Sequence, residues 1–253
     1  MDRIQKLQRQ PKITPLNLSG TAIHKDGESY NAVKHLIRPF DLIMFRGNDF
    51  VSNSIRKLQR KQLGKGAEAY SHCGMIITTE ILSHPNMVPG KLYVWESTMG
   101  GKLGGGVKNI NRETWLGSQV RDFDAVMASY DEPKDTQIAW GQLHDNPLDR
   151  MPLTEIRERM AYLFGKYNHK LYEVVVPNLF MGLFPRLRCF RAGNQNSQIF
   201  CSELVALIYK KFGVVSAECK PADVVPADFV VQDQDGNVDF RKWQPLRLMT
   251  VSK

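Results

Sequence analysis

Two short segments contain the residues whose side chains are best suited to chemistry. Residues 201–205, with the sequence CSELV, begin with a cysteine, and residues 71–76, SHCGMI, contain His72. An imidazole that takes the proton of a thiol creates a strong nucleophile, which attacks a carbonyl carbon and forms a covalent intermediate. The two segments together predict nucleophilic catalysis by a cysteine.

The segment after Cys201 has the pattern of a helix. Val205, Ile208 and Phe212 follow at i+4, i+7 and i+11, a spacing that places side chains on one helix face. Cys201 would lie in the first turn, where the dipole and free N–H groups lower the pKa of a thiol below about 8.5. The same N–H groups can hold an oxyanion. The alternative is a structural role, because cysteine is often buried as a small hydrophobe.

The segment around His72 has the pattern of a strand. Residues 73–78 and 92–96 are rich in β-branched and apolar side chains, which predicts two adjacent antiparallel strands. A register centred near His84 places His72 opposite Glu96 on the same face. A carboxylate there would orient the imidazole and stabilise its charged form. The alternatives are a core histidine with a satisfied hydrogen bond and a solvated carboxylate at a strand end.

In combination, these segments resemble a known family. The matching segments, in chain order, are DLIMF at 41–45, SHCGMI at 71–76, VWES at 94–97 and FCSELV at 200–205. They look like the permuted papain-like branch of the NlpC/P60 superfamily, which includes bacterial YiiX-like hydrolases and poxvirus relatives, with lecithin:retinol acyltransferase as a distant cousin. In that branch the catalytic His precedes the Cys, as here. The resemblance implies Cys201 as nucleophile, His72 as general base and Glu96 as the orienting residue.

The resemblance extends over most of the chain, from residue 41 to about residue 228. Residues 165–168, GKYN, resemble the family's Gly-x-x-Tyr-Asp element and imply that Tyr167 lines the site, with Asn168 where Asp is usual. Residues 221–228, PADVVPAD, resemble the segment that closes the domain after the catalytic helix. Ser71 and Ser202, the chain neighbours of the catalytic residues, are further candidates for substrate binding.

The pattern of elements predicts an α+β fold. The resemblance implies a circularly permuted papain-like fold, with an antiparallel sheet packed against helices that include the one carrying Cys201. We predict an N-terminal basic arm at residues 1–38 and a hydrolase domain at residues 39–253, and 42% apolar residues suffice for a substantial core. Further predicted elements are a strand at 41–45, a basic helix at 51–62, a strand at 121–130, a helix at 152–164, a stop of the Cys201 helix at Gly213, and strands or extended loops near 229–231 and 238–240.

Several classes of protein are disfavoured by the sequence. Four irregularly spaced cysteines are too few for a disulfide scaffold, and the usual zinc and calcium motifs are missing, so we predict neither a metal nor a cofactor. Prolines interrupt the longest apolar stretch, 174–187, short of the roughly 20 residues that a membrane span needs. Residues 1–6 lack the apolar core of a secretion signal, which favours a cytosolic protein, including a virus-encoded one packaged in a virion.

Three segments suggest contacts with other molecules, each with a plainer alternative. The net charge is +8, with basic residues concentrated near 3–12 and 56–65, which suits nucleic acid or an anionic membrane surface, or simply a solvated helix. The glycine-rich stretch 100–106 does not fit a phosphate-binding loop, because Lys102 is not followed by Ser or Thr. A surface loop at the rim of the predicted active-site cleft is favoured instead. The apolar stretch 174–184 either overhangs the cleft and suits an acyl chain or packs inside.

Two functions from different classes follow. The first is a cysteine hydrolase or acyltransferase that cleaves an amide, ester or thioester bond in an acyl or peptide substrate through a thioester acyl-enzyme. The second is a non-catalytic structural or binding protein with a papain-like fold, such as a virion component whose basic faces bind nucleic acid or partner proteins.

Overall fold

The computed structural model describes residues 28–63, 67–98, 106–130, 137–143, 145–172, 198–229 and 247–250. The strands are β1 Glu28–Ser29, β2 Leu42–Arg46, β3 His72–Ile77, β4 Tyr93–Thr98, β5 Gly117–Asp122, β6 Gln137–Gly141, β7 Leu171–Tyr172, β8 Gln198–Ile199 and β9 Arg247–Thr250. The helices are α1 Tyr30–Val33, α2 Phe50–Leu63, α3 Phe123–Ser129, α4 Leu153–Tyr167 and α5 Cys201–Lys211. The fold is α+β.

One sheet contains all nine of these strands, in the order β1-β9-β6-β2-β3-β4-β5-β7-β8. The five long strands, β6-β2-β3-β4-β5, form a continuous antiparallel centre. The short pairs β1–β9 and β7–β8 are parallel and extend the two edges. Every residue of β4 is buried, as expected for a strand covered on both faces.

Two apolar clusters cover the two faces of the sheet. The main cluster contains Cys73 and Met75 of β3 together with the buried sides of α4 and α5. The second contains Ile76 of β3 and Val94 of β4, with α1 and α3 packed on them. Because side chains of a strand alternate between faces, His72 and Glu96 belong to the face of the second cluster. Cys201 belongs to the main cluster.

Most predicted elements are confirmed. The strand at 41–45 corresponds to β2, the helix at 51–62 to α2, the helix at 152–164 to α4, and the two site strands to β3 and β4. The Cys201 helix is α5, and it ends where Gly213 adopts a φ of 65°. That left-handed conformation is one that glycine adopts readily at a helix end.

The strand predicted at 121–130 is wrong. β5 ends at Asp122, whose Oδ1 accepts a hydrogen bond from the N–H of Ala125 at 3.2 Å and caps the helix α3 that follows. Phe123, Val126 and Met127 are buried, and their i, i+3, i+4 spacing is helical. The N-cap carboxylate and the helical spacing of the buried residues therefore favour a helix here over the strand that the apolar residues suggested.

Part of the predicted N-terminal arm belongs to the folded core. Tyr30, Val33 and Ile37 are buried in the second cluster, so residues 28–37 pack with the same sheet, and residues 1–27 lie outside the described residues. The stretches 100–105, 174–184, 230–231 and 238–240 also lie outside them, whereas Phe229 ends a 3-10 turn, Pro226–Phe229. No helix within the described parts of the chain is long and apolar enough to span a membrane.

Candidate active site

The three residues predicted to form the catalytic group lie together. The Nε2 atom of His72 is 2.5 Å from Oε2 of Glu96, and the thiol of Cys201 interacts with the His72 imidazole by charge and by a hydrogen bond. Glu96 and Cys201 are completely buried, and the His72 side chain is 15% exposed. The imidazole is therefore the accessible member of the group.

His72 reaches Glu96 diagonally rather than directly across the ladder. Glu96 lies opposite Gly74, so the register is shifted by two residues from the predicted one, while the strands are antiparallel and the shared face is as predicted. A Cβ on Gly74 would come within 2.6 Å of Cγ2 of Val94 and 3.1 Å of Cβ of Glu96. The absence of a side chain at Gly74 therefore lets β4 pack closely against β3 at Val94 and Glu96.

The imidazole joins groups that belong to different faces of the sheet. His72 is paired with Phe45, and the centroids of the two rings are 5.1 Å apart. Cys73, the next residue, lies in the main cluster with Cys201. Since His72 is the first residue of β3, its ring lies at the strand end, where groups from both faces are within reach. Glu96 uses Nε2, which leaves Nδ1 as the ring nitrogen for the thiol.

Helix α5 begins at Cys201, as the sequence predicts. Phe200 precedes it with extended backbone, and its N–H donates to Oε2 of Glu203 at 3.5 Å. The thiol thus lies in the first turn of an 11-residue helix, where N–H groups that have no carbonyl partner within the helix and the helix dipole favour negative charge. The position suits both a thiolate and the oxyanion that it would generate.

The surroundings of Cys201 favour its thiolate. Burial by itself raises the pKa of the thiol, but the side-chain hydrogen bond with Cys73, the charge and hydrogen bond of His72, and the N–H of Cys73 outweigh it. The result is a pKa well below the ordinary value of 9.0. Charge and hydrogen bonding to the ionised form are the usual ways to lower a thiol pKa against desolvation.

The same pairing holds a proton on His72. Burial lowers the pKa of the imidazole, yet the charge and hydrogen bond of Cys201 and then those of Glu96 raise it to about 10. The pKa of Cys73 shifts in the opposite direction to that of Cys201. Burial is the largest cause, followed by the hydrogen bond to Cys201 and the charge of Cys201, and together they raise the pKa of Cys73 well above 9.0. Cys73 is therefore a neutral donor beside a charged thiolate–imidazolium pair.

Arg121 is the residue of the site that sequence reasoning missed. Its side chain is 2% exposed, and its Nε and Nη2 atoms lie 2.7 Å and 2.6 Å from Oε1 of Glu96. Burial raises the pKa of Glu96, but the charges of Arg121 and His72 outweigh it and lower the pKa below 4.5. The alternation of side chains along a strand could have identified it. Arg121 lies opposite Val94, and Val94 is two residues from Glu96, so Arg121 and Glu96 share one face of the sheet.

The three residues predicted to bind substrate lie on different elements, and the hydroxyl groups of Ser71 and Ser202 are committed to hydrogen bonds with the backbone. The hydroxyl of Ser202 donates to the Val224 carbonyl at 2.6 Å and is completely buried. The hydroxyl of Ser71 accepts from the Gly47 N–H at 3.2 Å and is 1% exposed as a residue. Tyr167 ends α4 half-buried, with the Nζ of Lys170 5.0 Å from its ring centroid. Of the three, Tyr167 has the most accessible surface.

No cluster of three or more His, Cys, Asp or Glu side chains among the described residues could hold a metal ion. Although a thiol, an imidazole and a carboxylate meet here, their arrangement serves hydrogen bonds and ion pairs instead. A thiol and an imidazole in contact are groups suited to nucleophilic attack and proton transfer.

No family model matches the chain, and no curated protein sequence matches it significantly. The roles of the site residues accordingly depend on the distances, burial and charges described above.

Proposed function

We propose that the protein is a cysteine hydrolase or acyltransferase whose catalytic residues are Cys201, His72 and Glu96. The observation that carries this proposal is the lowered pKa of the buried Cys201 thiol at the start of a helix, next to the His72 imidazole. The other side of that imidazole is held by the Glu96 carboxylate, with Nε2 and Oε2 2.5 Å apart. A purely structural cysteine in an apolar cluster has its pKa raised, as Cys219 does.

The reaction proceeds in two halves. With the proton of Cys201 already on His72, the thiolate Sγ forms a bond to the carbonyl carbon of an amide, ester or thioester while the carbonyl electron pair moves onto oxygen. Collapse breaks the bond to the leaving amine, alcohol or thiol, which takes the proton from the imidazolium. Water or another acceptor then gives its proton to His72, attacks the thioester and releases Cys201 as thiolate. The N–H groups that begin α5 stabilise both oxyanions.

We also propose that the fold is the circularly permuted papain-like one. Its support is the chain order His72, Glu96, Cys201, with the first two on neighbouring antiparallel strands and the third at the start of a helix packed on the same sheet. A papain-like site needs these three placements, whatever the order of the segments along the chain.

The test is the reactivity of the thiol. Native protein is alkylated with iodoacetamide from pH 4 to pH 10, and each modified cysteine is quantified by mass spectrometry. Cys201 should react well below pH 8, and His72→Ala should abolish that advantage. Cys219, which is 1% exposed and outside the site, is the internal control for a buried thiol. If Cys201 reacts no faster than Cys219 in the native protein, the proposal is wrong.

Turnover is tested with Cys201→Ala. Chromogenic acyl esters and peptide amides are the first substrates, and the substitution should reduce hydrolysis to background while the far-ultraviolet circular dichroism spectrum is unchanged. Cys219→Ala is the matched control and should retain activity. Wild-type turnover in Cys201→Ala would contradict the mechanism.

A second candidate function, a binding protein for an anionic partner, is supported by α2. Lys57, Arg60 and Lys61 are exposed on this helix. Binding through these residues predicts an affinity for single-stranded or duplex nucleic acid that falls steeply with salt and weakens in Lys57→Glu. Absence of binding at 50 mM salt would remove this candidate.

A further inference from the structure

Arg121 brings a full positive charge into the interior of the sheet. It extends from β5 toward Glu96 on β4, where its Nε and Nη2 atoms both lie close to one carboxylate oxygen, Oε1. The other oxygen, Oε2, is left for His72. Removing a guanidinium from water is costly, and a neutral side chain of similar length would pack between strands at lower cost. The charge of Arg121 therefore needs an explanation beyond packing.

A count of charges in the two protonation states supplies that explanation. With the thiol and imidazole neutral, Arg121 and Glu96 sum to zero. After the proton moves from Cys201 to His72, the thiolate and imidazolium add one charge of each sign, and the sum is zero again. Without the guanidinium the sum is −1 in both of these states, and it is zero only when the thiol keeps its proton beside an imidazolium. Ionising Cys201 would then leave one uncompensated negative charge in the core. Such a charge is strongly disfavoured in a buried site.

We propose that Arg121 is a positioning residue that cancels the charge of Glu96, so that the imidazolium of His72 is available to balance the thiolate of Cys201. This inference rests on the proposed function and specifies how the resting site is kept reactive. It makes the site a row of alternating charges, from thiolate to imidazolium to carboxylate to guanidinium.

The other ionisable groups around the row do not supply this balance. Tyr130, at the end of α3, has its pKa raised first by burial and then by the charge of Glu96, so it is neutral. Cys73 from β3 is neutral for the reason given above. Asp49, the residue before α2, acts on Tyr130 and accepts hydrogen bonds from the N–H and the hydroxyl of Ser52. Arg46 at the end of β2 is a cation, and its charge acts on Tyr70.

The experiment measures the pH midpoint of Cys201 alkylation in five variants. Arg121→Gln should raise the midpoint by about one pH unit or more, the size expected when a balancing charge is lost in a buried site. Glu96→Gln should lower the midpoint below the wild-type value, because the guanidinium of Arg121 is then an uncancelled positive charge near the thiolate. The double variant Arg121→Gln/Glu96→Gln should lie between them, since it is neutral again. Arg121→Lys should restore most of the wild-type value, and Arg46→Gln is the control for loss of a cation elsewhere.

A midpoint for Arg121→Gln equal to that of wild type overturns the proposal. So does a double variant whose midpoint is as high as that of Arg121→Gln, because packing alone would predict no such recovery. An equal shift in Arg46→Gln would show that general charge, not the balance of Glu96, is responsible. If Arg121→Gln does not fold, Glu96→Gln is compared with the double variant, which differs from it only at residue 121, and equal midpoints overturn the proposal.

Failure of the proposed function would be seen separately. It would appear in the wild-type protein, as an alkylation midpoint no lower than that of an ordinary thiol, before any substitution at Arg121 is considered.

Discussion

Two completely buried carboxylates, Glu96 and Asp41, are held in different ways. Glu96 is bound by the cation Arg121 and by His72, and its pKa is lowered. Asp41, just before β2, accepts hydrogen bonds from Nε1 of Trp140 at 2.8 Å and from the N–H groups of Arg38 and Leu143 at 2.9 Å and 3.0 Å. Burial dominates there and raises the pKa of Asp41 to about 6. Neutral donors fix the position of a carboxylate, whereas cations also fix its charge.

The difference separates a structural carboxylate from a chemical one. Asp41 ties β2 to Trp140 of β6 and to the chain that follows β6, and this role requires only acceptor oxygens. In the proposed mechanism Glu96 orients His72 and must be negative to do so. Burial and hydrogen bonding alone therefore do not identify a functional carboxylate; the sign of its pKa shift is more informative.

The largest expected effect comes from removing Glu96 while Arg121 stays. Glu96→Ala leaves a buried guanidinium without its partner, and we expect a loss of about 3–5 kcal/mol in the free energy of unfolding. Replacing both residues, as in Glu96→Ala/Arg121→Met, should recover most of that loss, because no unpaired charge remains. Denaturant unfolding at pH 7 measures both. A double variant no more stable than Glu96→Ala would show that Arg121 is not the source of the cost.

A somewhat smaller effect should appear in the pH dependence of stability. The folded protein holds the proton of Asp41 more tightly than the unfolded chain, so this contribution is complete below pH 3.8 and is lost as the pH rises through about 6. The two-unit difference corresponds to about 3 kcal/mol. The free energy of unfolding of the wild type should therefore fall, relative to Asp41→Asn, between pH 4 and pH 7.

The Asp41→Asn variant serves as the reference because asparagine does not titrate. The difference between the two curves of unfolding free energy against pH therefore reports the titration of Asp41 alone. Parallel curves would mean that Asp41 is ionised in the fold at all these pH values, and the contrast with Glu96 would disappear.

The smallest effect concerns the close packing of Gly74 against Val94 and Glu96. Gly74→Ala forces its Cβ against Val94, at 2.6 Å before relaxation, and should cost about 1–3 kcal/mol in stability, with reduced activity as Glu96 is displaced. Gly165→Ala is the matched control, since Gly165 is exposed in α4 with no atom within 4 Å of the added Cβ. It should stabilise the protein by about 0.5–1 kcal/mol. Equal effects at the two glycines would refute the steric argument.

Much of the architecture could be predicted because the signals were local. The helix from Cys201 and the strands beginning at His72 and Tyr93 have clear periodicity, and alternation correctly put His72 and Glu96 on one face. The register was two residues off, because the loop between the strands is not a symmetric turn and its length does not determine which residues pair.

The charges behind the catalytic group could not be predicted in the same way. Arg121 fell in a predicted strand that was extended too far, and an arginine in a strand usually suggests an exposed face. That Cys73 contacts Cys201 depends on which face of β3 the helix α5 covers, which is a tertiary choice that periodicity does not determine. Only the assembled sheet brings β3, β4 and β5 into the order that links these side chains.

Both faces of β3 contribute to the candidate site, since His72 contacts Glu96 on one side and Cys73 contacts Cys201 on the other. In evolutionary terms, an insertion or deletion of one residue inside this strand would exchange the two side chains and destroy both contacts together. The loop between residues 78 and 92 carries no such constraint. Divergent relatives with the same chemistry should therefore differ in length in that loop and keep the His-Cys-Gly sequence without gaps.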